Sequence, residues 1–72
     1  MTREEHLQWA KQRALEYVET GDTQNAFASM ASDLGAHPDL ENHISIQVGM
    51  ALMMGGHLNS PTEMRKFIEG FN

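Results

Sequence analysis

Four histidines, four serines, ten carboxylates and no cysteine are what this chain offers for chemistry. Asp33 and His37 stand at i, i+4 spacing, which on a helix puts both on one face, as two ligands of a divalent cation would need. His6, His43 and His57 follow no ligand spacing, and there is neither a His-Glu-x-x-His pair nor a thiolate to complete a site. The reading is therefore no metal. The histidines serve as caps and surface groups, with His37 and His57 near helix ends where a cation is welcome.

Nucleophilic and phosphate chemistry find less. Ser29, Ser32, Ser45 and Ser60 have no strand-turn-helix elbow around them, and Ser60 reads better as a helix cap. Gly49, Gly55 and Gly56 lack the Lys-Ser/Thr pair that a nucleotide-binding loop requires. Glu4 and Glu5 fall in a first helical turn, where the helix dipole accounts for them. No catalytic residue and no cofactor are expected, and the chain does not read as an enzyme.

Trp9 is the residue that points to contact. On a helical wheel it lies away from the Leu7, Ala14 and Val18 stripe and shares its side with Glu5, Arg13 and Glu16. A tryptophan beside an arginine offers large area at low entropic cost and a cation partner. Trp9, Arg13, Glu16 and Tyr17 are the candidate interaction residues. The alternative is that the last helix folds back over Trp9.

The elements that must position these residues are legible from their ends. Thr2-Arg3-Glu4-Glu5 has capping-box form, and Leu7, Ala10, Ala14, Tyr17 and Val18 recur at helical spacing up to a left-handed cap near Thr20-Gly21. Asp22 caps a second helix with Ala26, Phe27, Met30, Ala31 and Leu34 inward, and a stripe of Ala28, Ser32 and Gly35 small enough for close backbone approach. Pro38 stops it, and Asp39 is the expected cap of the next.

The third segment is ambiguous, since Ile44 to Val48 also alternates like a strand. Its apolar character continues to Met54, too long for a strand that would have no partner, so it reads as a helix. Ile44, Val48, Ala51, Leu52 and Gly55 form one stripe and Ile46, Met50, Met53 and His57 another. Such a helix is the centre of the fold or a subunit interface, and Ile44, Ile46, Val48, Met50, Met53 and Met54 are its candidate core or oligomer residues. Its methionines suit adaptable packing in either role. Ser60-Pro61-Thr62-Glu63 opens a fourth helix with Met64, Phe67, Ile68 and Phe71 on one face. Short loops at 20–23, 36–40 and 55–60 favour antiparallel neighbours. The expected fold is all-α, one domain over residues 1–72, a compact bundle of four short helices.

Size and charge bound the function. A chain of 72 residues sits where roughly 60% of the unfolded surface is buried and folding alone is marginal, and without cysteine the supplement is good helix packing or oligomerisation. No run approaches the roughly 18 apolar residues that span a bilayer, and MTREEH does not resemble a signal peptide. Between Arg13 and Arg65 stand seven acids and no Lys or Arg, a surface that repels duplex nucleic acid.

Two resemblances add to this. Glu16 to Asp22, Ala26 and Pro38 look like one tetratricopeptide-type hairpin, in which a Tyr precedes a Gly-Asp turn. Asp33 departs from that pattern and no second unit follows. More broadly, TREEHLQWAKQRALEY, SMASDLGAHP and GGHLNSPTEMRKFIEGF resemble a group of very short bacteriophage-encoded helical proteins with no established activity. That resemblance implies a bacterial host's cytoplasm and carries no catalytic residues. The expected function is binding to a host protein, one such role being inhibition of a defence system. The alternatives are an oligomeric sponge for a nucleotide-like ligand held by Trp9, Tyr17, Arg13 or Arg65, and a minor structural protein of the virion.

Overall fold

A computed structural model describes residues 2–71 and contains four helices: α1 (Arg3–Glu19), α2 (Thr23–Gly35), α3 (Ile44–Met54) and α4 (Pro61–Glu69). There is no strand among the described residues, so the alternation of Ile44 to Val48 is part of a helix. Each helix begins on a side chain that satisfies an otherwise unpaired backbone N–H. Thr2 and Glu5 form the full reciprocal box, Asp22 accepts from the Asn25 N–H, and Ser60 accepts from the Glu63 N–H with Pro61 in the first turn.

Two helices end on the same left-handed glycine device. Gly21 (φ 79°) and Gly56 (φ 78°) let the Asp22 and His57 N–H groups reach back to the Tyr17 and Leu52 carbonyls, at 3.0 and 2.8 Å. A Cβ would strain that conformation, which is why glycine stands at both.

The core is made chiefly by α1, α2 and α4. Leu7, Ala10, Ala14 and Val18 meet Ala26, Met30 and Leu34 across the first hairpin, and Met64, Ile68 and Phe71 close the far side. Small alanines on α1 let α2 approach closely. On the opposite flank, Lys11 Nζ donates to the Glu69 carbonyl at 3.3 Å, where a cation meets the negative end of α4.

Several expectations need correction. Asp39 does not cap α3. Residues 36–43 form a run of turns that drops Leu40 into the core, and only after that anchor does the chain start α3, with His43 Nδ1 accepting the Ser45 N–H at 3.1 Å. The Ala28, Ser32 and Gly35 stripe faces solvent, and a Cβ on Gly35 would meet nothing within 4 Å. Tyr17 lies at the edge of the α1 apolar face and is exposed.

The third helix is not the centre of the fold. Among the described residues, its buried set is Gly49 alone. The inward line runs between the two expected stripes, taking Leu52 from one and Ile46 and Met53 from the other, all half-buried against the core. Gly49 makes this seat possible: a Cβ there would lie 2.5 Å from both Phe27 Cε1 and Phe67 Cζ. Those two rings stand 6.1 Å apart, and the α3 backbone rests on them.

Candidate functional site

The α1 surface gathers its chemistry along one stripe, His6, Trp9 and Arg13, at i, i+3 and i+7. Arg13 Nε donates to the Asp33 carboxylate on α2 at 2.7 Å, and Ser29 Oγ lies 3.5 Å from the same oxygen. The guanidinium carbon sits 5.0 Å from the Trp9 ring centroid. Arg13 is thus held between a carboxylate and an aromatic face, and half of its side chain remains in solvent.

His6 is buried, a position the sequence reading did not foresee. Its Nε2 bonds the Asp33 backbone carbonyl. A carbonyl only accepts, so Nε2 carries the proton. The ring also packs 5.1 Å from Trp9 and 5.1 Å from His37. Asp33 therefore receives two bonds from α1, one on its main chain and one on its side chain. This is where the chain departs from the tetratricopeptide pattern: the charged residue in a small apolar position has a cation built opposite it.

Trp9 is 37% exposed, and the groups shown packed against its ring, His6 and Arg13, are from its own helix. Beside it, Arg13, Glu16, Tyr17, Thr20 and Asp22 line an open groove. The structure so brings together all four candidate interaction residues, three in the groove and Trp9 next to it through Arg13. Two carboxylates and one engaged guanidinium give the groove an acidic rim.

Asp33 and His37, the pair at ligand spacing, are each committed to other partners. Asp33 holds Arg13, and His37 Nδ1 accepts the Asp39 N–H at 3.1 Å. Among the described residues no group of three or more His, Asp or Glu is placed to hold a metal ion.

The residues singled out on α3 divide into two sets. Ile46 and Met53 are half-buried, whereas Ile44, Val48, Met50 and Met54 are exposed at 66%, 49%, 55% and 87%. No helix of the described residues is long and apolar enough to cross a membrane. No protein-family model, curated protein or solved structure matches the chain.

Proposed function

We propose that this chain is a non-enzymatic binding protein that docks the α1 surface around Trp9 onto a protein of the bacterial host whose cytoplasm the resemblance to short phage-encoded proteins implies. The supporting observation is the fixed arrangement of Trp9 under Arg13, with Arg13 tied to Asp33. A side chain already held in one geometry loses little entropy on binding, and a part-covered Trp stacked by an Arg is the type of anchor that dominates contact energies. The acidic rim of Glu16 and Asp22 favours a partner that offers an apolar pocket edged by Lys or Arg. The same rim disfavours a phosphate-bearing ligand, which makes the nucleotide sponge the weaker reading.

The test places a photo-crosslinking amino acid at Tyr17, and at Gln24 on α2 as a control, in the cytoplasm of a bacterial host. One defined adduct from the Tyr17 position, absent at Gln24, is expected. The purified partner should then lose about 30-fold in affinity with Trp9→Ala, the size of a hot-spot truncation. A partner that binds the Trp9→Ala variant equally well would overturn the reading.

A further inference from the structure

Nothing in the α1 reading uses the outer face of α3, where Ile44, Val48, Met50, Ala51 and Met54 are exposed. We propose that this face is an isologous interface, closed by α3 of a second copy of the same chain running antiparallel to it.

Self-complementarity of the stripe is the first argument. Ile44, Val48, Ala51 and Gly55 lie along one line of the helix, large residues toward its start and small ones toward its end. About a two-fold axis between Gly49 and Met50, Ile44 of one copy lies opposite Gly55 of the other, and Val48 lies opposite Ala51. Each large side chain meets a small one at every level, which is the condition for interdigitated packing, and a two-fold contact supplies each pairing twice. Antiparallel helices also set their dipoles head to tail. Met54 borders the seam as a deformable filler, with the exposed, uncharged Gln47 beside it.

Charge supplies the second argument. The chain carries a formal charge of −5, yet residues 42–62 contain no Asp, Glu, Lys or Arg. Two copies that meet through α3 bring no carboxylates face to face, whereas α1 would set Glu16 and Glu19 among like charges. The inward seat of α3 leaves this face free: Gly49 lies on the two phenylalanine rings, which turns Val48 and Ala51 outward.

An 11-residue helix is only about 16 Å long, so the interface is at the small end of specific contacts and dissociates on dilution. Sedimentation equilibrium of the full chain from about 1 μM to 1 mM should show the mass rising from 8.1 kDa to twice that value. Raising salt should tighten the dimer by screening the charge the two copies share.

Val48→Glu and Ala51→Glu change exposed positions and should give monomers with unchanged helical circular dichroism. Since the chain has no cysteine, a mixture of Val48→Cys and Ala51→Cys chains reads the register directly. The mixed disulfide should form faster than either self-disulfide. A wild-type mass that stays at one chain throughout the range overturns the proposal, as does a dimer that survives both glutamates or a Val48→Cys self-disulfide that forms fastest.

Discussion

Arg13 on α1 and Asp33 on α2 are joined by a 2.7 Å bond from Nε to Oδ2, with the carboxylate nearly covered and the guanidinium half in water. That asymmetry decides how the pair responds to mutation. Removal of Arg13 leaves a covered charge supported only by Ser29, while removal of both partners leaves no orphan.

Arg13→Met should therefore destabilise the fold by about 1–2 kcal/mol, less than for a wholly buried pair because Arg13 is solvated. Adding Asp33→Ala should return part of that loss. Urea unfolding of the four chains in the cycle measures it, and strictly additive losses would show that the bond contributes nothing. Trp9 fluorescence should change in both chains that carry Arg13→Met, since the cation leaves its ring.

Gly49→Ala should lower stability by about 1 kcal/mol, although alanine is the better helix former by nearly that amount. A methyl group 2.5 Å from Phe27 Cε1 and Phe67 Cζ displaces both rings, and overpacking of this kind costs about 1–3 kcal/mol. A denaturation midpoint raised by the substitution would show that the α3 backbone does not rest on the rings. Gly35→Ala, with nothing within 4 Å of its Cβ, serves as the matched case and should stabilise.

At the start of α1, Glu5 accepts the Thr2 N–H at 3.1 Å and Thr2 Oγ1 accepts the Glu5 N–H. Hydrogen bonding from the Thr2 backbone, with its hydroxyl second, holds the Glu5 carboxyl below its ordinary value. A folded-state pKa below the unfolded one means that the stabilisation is present above the unfolded value and is lost as pH falls through the folded one. NMR titration should find Glu5 protonating at lower pH than a free glutamate, with amides of the first turn fraying in step. Thr2→Ala should move the Glu5 titration upward. Because alanine keeps the backbone N–H that bonds Glu5, the shift should be partial, and an unchanged midpoint in that variant would remove the Thr2 hydroxyl as a cause.

Helix ends were the most legible part of this sequence because capping is local chemistry. Thr2, Asp22, Ser60 and Gly21 each act within a few residues, and each is found where spacing put it. Asp39 misled because the place where α3 begins depends on a tertiary event, the descent of Leu40 into the core, and not on the strength of a nearby cap. The α3 stripes misled for a related reason. A helix apolar all round has no preferred face of its own, so the inward side is chosen by where Gly49 finds room. On α1, the stripe of Trp9, Arg13, Glu16 and Tyr17 was readable as a surface. The His6 and Arg13 bonds to Asp33 were not, though seven-residue spacing between two donors on one helix is the signal that an acceptor across the hairpin would have explained.

The placement of Gly49 also orders the molecule in time. Thr20 to Asp22 separate α1 from α2, so that hairpin pairs groups close in sequence and is the natural place for folding to begin. Held by one glycine on two rings and by three half-buried side chains, α3 opens with the least disruption. Amide exchange should proceed fastest along α3 and slowest in the middle of α1, and on dilution α3 should be the first helix to lose protection.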